Sequence, residues 1–99
     1  MEHEFYESLL RGLSGLAYRA YGGVKVALLT TKANSSVRTV VYDAPSIVIN
    51  DLDEASKKER EVFFKEYSLT DVDFSDQLSV FRKLNTITTD LEKSFQVSH

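Results

Sequence analysis

Cysteine and tryptophan are absent from this 99-residue chain, proline occurs once and glycine four times. Without cysteine there are no disulfides, no thiolate metal ligands and no cysteine nucleophile, so packing alone must stabilise the fold. The two histidines, His3 and His99, stand at the ends of the sequence, which leaves a Ser/His/Asp triad or a histidine metal cluster without its central residue. No stretch reaches the roughly 18 consecutive apolar residues of a membrane span, and Met1-Glu2-His3-Glu4 is acidic where a secretory leader would be basic. An intracellular, cytoplasmic protein with no membrane partner is expected. Few breakers together with 42% hydrophobic residues argue for a folded chain, and its length suits a single domain over 1–99 with one core.

Charge of one sign is also missing over a long stretch. Between Glu7 and Asp43 there is no acidic residue, while Arg11, Arg19, Lys25, Lys32 and Arg38 lie there. The formal net charge is −3, yet residues 1–7 carry −3, residues 8–42 carry +5, residues 43–76 carry −6 and residues 77–99 carry +1. Segregation of this kind predicts contact with something complementary, be it an acidic partner, nucleic acid or a second copy of the chain.

What is there is a hydrophobic pattern that changes period. Phe5, Tyr6, Leu9, Leu10, Leu13, Leu16, Ala17, Ala20 and Tyr21 recur at threes and fours, the stripe of an amphipathic helix, and Gly22-Gly23 supplies the left-handed conformation that ends one. Gly12 and Gly15 inside it each cost about 1 kcal/mol relative to alanine, so either another segment approaches closely there or both are tolerated surface glycines. Val24 to Thr31 and Val37 to Asp43 are rich in β-branched residues and read as a hairpin, with Ser46 to Asn50 as a third short strand. Pairing symmetric about Asn34-Ser35 puts Val24, Val26, Leu28, Thr30, Val37, Thr39 and Val41 on the core face. The other face then carries Lys25, Ala27, Leu29, Thr31, Arg38, Val40 and Tyr42.

A second helix is expected from a cap at Asp51 or Asp53 to about Tyr67, with a thin apolar face. A third, capped by Ser75 or Asp76, carries Phe74, Leu78, Phe81, Leu84, Ile87 or Thr88, Leu91 and Phe95, and the β-branched run Thr86 to Thr89 predicts a kink or stop. The fold class is therefore α+β: an N-terminal helix, a three-stranded antiparallel meander and two C-terminal helices.

The chemistry-bearing motifs are few. Asp51, Asp53 and Glu54 form one acidic cluster and Asp71, Asp73 and Asp76 another, but the calcium-loop spacing fails, with Asp76 where the glycine belongs and Arg82 where the final glutamate belongs. Helix capping accounts for both clusters, and no catalytic, cofactor or metal set emerges. The order helix, meander, helix is also that of double-stranded RNA-binding domains, and Ser56-Lys57-Lys58-Glu59 resembles the start of their second helix. Acidic Asp51-Leu52-Asp53-Glu54 replaces the glycine-rich approach of that family, so no residue role is carried over.

The expectation is a small non-enzymatic module that adapts, inhibits or regulates another protein and self-associates, a dimer being favoured. Its interface residues are taken as Leu29, Val40, Tyr42, Phe74, Leu78, Phe81, Leu84, Leu91 and Phe95. The alternative is binding of RNA or single-stranded DNA through Arg19, Lys25, Lys32, Arg38 and Tyr42, where cations follow phosphates and a ring stacks on a base.

Overall fold

A computed structural model describes residues 2–32 and 35–95. Helix α1 (Glu2–Tyr21) begins with Glu2 and Glu4 at the positive end of its dipole and closes where Gly22 and Gly23 take φ of 63° and 85°. Strands β1 (Val26–Lys32) and β2 (Ser36–Tyr42) pair antiparallel. The chain then leaves the sheet through two short helices, α2 (Ser46–Ile49) and α3 (Glu54–Glu59), and returns as β3 (Glu61–Ser68) on the far side of β2. Helix α4 (Gln77–Ser94) completes the order. The α+β class and the three-stranded antiparallel sheet, ordered β1-β2-β3, agree with the sequence reading.

Two placements differ. Ser46 to Asn50, expected as the third strand, forms the helical turn α2, because Pro45 enters it with φ −71° and Ile49 is drawn into a buried position. The third strand lies instead at Glu61–Ser68, inside the region expected to be helical up to Tyr67; the helix there ends at Glu59. Val62, Phe63, Phe64 and Tyr67 favour a pleated strand, and the thin helical stripe was the sign of it. The excursion through α2 and α3 is closed at its base where the Asp43 N–H donates to the Arg60 carbonyl at 2.7 Å.

The hairpin register also differs by one residue. Lys32 pairs with Ser36 and Val26 with Tyr42, so the pairing centres on residue 34, with the Ser35 N–H and Oγ both donating to the Lys32 carbonyl at 2.8 Å. A one-residue slip turns a whole strand over. Ala27, Leu29 and Thr31, not Val26, Leu28 and Thr30, therefore share the helix-covered face with Val37, Thr39 and Val41; Val24 precedes the strand and is exposed.

Both long helices cover that one face. Phe5, Leu9, Leu13, Leu16 and Ala17 from α1 and Ile87 and Leu91 from α4, with Phe95, close over Ala27, Val37 and Val41, and Leu69 completes the core. Leu91 and Phe95, expected at an interface, are thus interior residues of this chain. The α4 helix does not stop at Thr86 to Thr89 but continues to Ser94, with the Thr86 and Thr88 hydroxyls donating back to the Arg82 and Leu84 carbonyls at 2.9 Å. One helix layer on one sheet gives a slab of 38 × 32 × 17 Å.

Candidate interaction surface

The sheet face turned away from the helices is built by alternation. Val26, Leu28, Thr30 and Lys32 come from β1, and Arg38, Val40 and Tyr42 from β2. An irregularity opposite Val41 and Tyr42 pairs Tyr42 with Glu61 and skips Val62, so β3 adds Glu61 and Val62, followed by Phe64, Glu66 and Ser68. Antiparallel sheets with one solvated face normally read polar on that side; this one does not. Val62 and Phe64 are 51% and 54% exposed, and Val26 and Leu28 are half-buried on the opposite edge strand.

Arg38 spans the middle of this face. Its guanidinium lies 4.3 Å above the Phe64 ring, and Nη2 donates to Glu61 Oε1 at 3.2 Å. The Nε is buried without an acceptor, so the side chain is held by stacking and one ion pair. Burial pushes the Tyr42 phenol up, Glu61 pushes it further, and Arg38 offsets part of this. Glu54 at the start of α3 adds a smaller rise. Val40 is only 3% exposed although it faces away from the helices; with Ala44 and Ile49 it is buried outside the main core. The α2–α3 excursion thus seals one end of the face and leaves the Leu28, Phe64 and Glu66 region open.

The residues singled out from sequence do not form one surface. Val40 and Tyr42 belong to the open face, Val40 as its buried floor; Leu29 points to the helices because of the register. Phe74 packs edge-on to Phe5 at 5.6 Å, and Leu84 lies against the core. Leu78 and Phe81 are exposed at the start of α4, 54% and 67%, and Phe81 lines a groove of about 250 Å³ with Glu4, Phe5 and Ser8 of α1. Of the basic set, Lys25 folds over the Tyr21 ring at 4.9 Å, Arg19 is exposed in the last turn of α1, and Lys32, Arg38 and Tyr42 share the open sheet face. Arg38 is paired with Glu61 at 3.2 Å, and Lys25 and Arg19 lie off this face. Sequence reasoning missed Leu28, Val62 and Phe64; the apolar residues on both sides of 61–68 were the available signal.

Other polar clusters are structural. Asp53 Oδ1 accepts from the Ser56 N–H at 2.8 Å and Asp76 Oδ1 from the Leu78 N–H at 3.0 Å, the expected helix caps. Asp73 is held below the usual carboxylate range by Ser75, and Asp71 by the Lys83 ammonium at 3.0 Å. The hollow of about 420 Å³ beside Lys83 is therefore lined by an ion pair and a cap. Asp90 Oδ2 accepts from Tyr67 Oη and from Lys65 Nζ, both at 2.6 Å. Burial and the carboxylate hold the Tyr67 phenol far above its ordinary range, the reverse of what a nucleophile or base requires. Among the described residues no three acidic, histidine or cysteine side chains are placed to hold a metal ion, and no helix is long and apolar enough to cross a membrane.

No protein-family model matches the chain, and no curated protein or solved structure does.

Proposed function

We propose that this protein is a non-enzymatic interaction module of the cytoplasm, adapting, inhibiting or regulating another macromolecule through the open face of its sheet. The observation that carries the reading is a pair of large apolar side chains, Val62 and Phe64, more than half exposed on one edge strand of a face whose other edge strand carries apolar Val26 and Leu28. An isolated exposed leucine needs no explanation, whereas two large apolar side chains exposed next to each other on one strand face mark a contact surface. Arg38, stacked and ion-paired in its centre, adds the fixed polar group that such surfaces use for orientation.

A photo-crosslinking residue at position 64 should give protein adducts in cell extract, and an equivalent residue at exposed Glu92 on α4 should not. Excess unmodified wild-type chain should suppress those adducts, and a Phe64→Glu chain should fail to. Adducts no more abundant at position 64 than at 92 would sink the reading.

A further inference from the structure

The open face is complementary to itself. Across the sheet, the register lines up Lys32 with Ser36 and Ser68, Thr30 with Arg38 and Glu66, and Leu28 with Val40 and Phe64. On β1 the outward side chains therefore run from apolar Val26 and Leu28 to cationic Lys32, and on β3 from apolar Val62 and Phe64 to anionic Glu66 at the same end. The charge-segregated halves of the sequence occupy opposite edges: the acid-free segment supplies β1 and the strongly acidic one supplies β3. They do little to neutralise each other within the chain, since among the described residues Arg38–Glu61 is the one ion pair between segments 8–42 and 43–76.

We infer that the occupant of this face is a second copy of the chain, packed sheet to sheet about a twofold axis that runs along β2 between the two molecules. Rotation about such an axis keeps every residue at its own level along the strands and exchanges the two edges, so β1 lies over the partner's β3. At the end that the α2–α3 excursion leaves open, Leu28 then meets the copy's Phe64 and Lys32 reaches its Glu66, each contact made twice. The alternative axis, across the strands, would set β1 over β1 with the levels reversed, so that Lys32 and Glu66 would lie over apolar ends of the copy's strands with no opposite charge to meet. Stacked sheets sit about 10 Å apart and aligned sheets keep their strands within about 30°. That spacing suits facing leucine and phenylalanine side chains, and the apolar patch lies inside a charged rim. The two Arg38 guanidinium groups near the axis are each already paired with Glu61 and laid flat on Phe64. The result is two sheets stacked over their open ends, with α1 and α4 of each copy on the outside.

This inference rests on the sheet face being the contact surface but fails separately from it. Sedimentation equilibrium of the full chain from 1 to about 200 µM should show a dimer. Lys32→Glu alone and Glu66→Lys alone should each weaken it at least about tenfold, because each sets like charges against each other twice. The double variant should recover most of the loss, and Phe64→Glu should be monomeric, with circular dichroism confirming an intact fold in all four. A wild-type chain monomeric throughout that range would overturn the inference, as would a dimer that the double charge exchange does not rescue. If the chain is monomeric while position 64 still crosslinks competitively to a different protein, the copy is not the occupant and the interaction reading stands. If neither occurs, both fall.

Discussion

Asp90 is the residue on which α4 and β3 agree. Its Oδ2 accepts a hydrogen bond from Tyr67 Oη and lies against the Lys65 ammonium, each at 2.6 Å, and Lys65 and Tyr67 reach it only because both point to the helix side of β3. The Lys65 ammonium first, then the Tyr67 hydroxyl, holds the Asp90 carboxyl below its ordinary range. A carboxylate with a depressed folded-state pKa contributes stability that is present above its unfolded value, about 3.9, and is lost as pH falls through the lower folded value. Tyr67 acts at the other limb. Its phenol is raised in the folded chain, so its contribution is intact below the ordinary value of 10.0 and is lost as pH rises beyond it. Tyr67→Phe removes a half-buried, charge-assisted hydrogen bond and should lower the unfolding free energy by about 1.5 to 3 kcal/mol at pH 7, read from urea melts. The same variant should show a shallower alkaline loss of stability than wild type. An unchanged alkaline limb would mean that the phenol is not buried against Asp90 in solution.

At the level of elements, the two interior glycines of α1 separate cleanly. A Cβ on Gly12 would stand 3.3 Å from Thr88 Cγ2 on α4, whereas a Cβ on Gly15 would meet nothing within 4 Å. Gly12 thus marks the close crossing of α1 and α4, and Gly15 carries only the entropic cost of glycine in a helix. Gly15→Ala should raise stability by about 0.5 to 1 kcal/mol, and Gly12→Ala should gain less or lose, since α4 must give way. Equal gains in urea midpoint would show that the helices do not approach at Gly12. What was legible in the sequence follows the same local logic. Helix α1, its double-glycine stop and the caps at Asp53 and Asp76 could be read because each depends on a few adjacent residues. Strand β3 could not, because Lys65 stands on the helix-covered side to reach Asp90 while Val62 and Phe64 stand outside, which erases the alternation that identifies a strand. The hairpin register was undetermined for a related reason: Val26-Ala27-Leu28-Leu29 is apolar on both faces, and one residue of loop length decides which face is inward. Those two ambiguities account for the candidate site being only half visible, with Val40 and Tyr42 on the right face and Leu28, Val62 and Phe64 unseen.

For the whole molecule, the position of β2 sets how stability is distributed. It is hydrogen-bonded on both sides, by β1 from Val26 to Lys32 and by β3 from Glu61 to Ser68, and Val37, Thr39, Val40 and Val41 along it are buried. The Thr39 hydroxyl is satisfied by the Lys65 carbonyl at 3.0 Å, so even its polar side chain ties β2 to β3. By contrast α3 buries no residue, and α2 buries one, Ile49. Local opening costs little where few apolar contacts are broken and approaches the global unfolding free energy where the core is cut through. Amide hydrogen exchange followed by mass spectrometry should therefore find the β2 amides the slowest in the chain, with those of 46–59 exchanging orders of magnitude faster while the sheet stays closed. Edge strands β1 and β3 should fall between the two, with half of their backbone groups facing outward. Because the excursion is anchored at its base by Asp43 and Arg60, its opening need not disturb the register of β3. Protection in α3 equal to that in β2 would show that the excursion folds as one unit with the sheet, and the picture of a rigid central strand with a separately opening flap would be wrong.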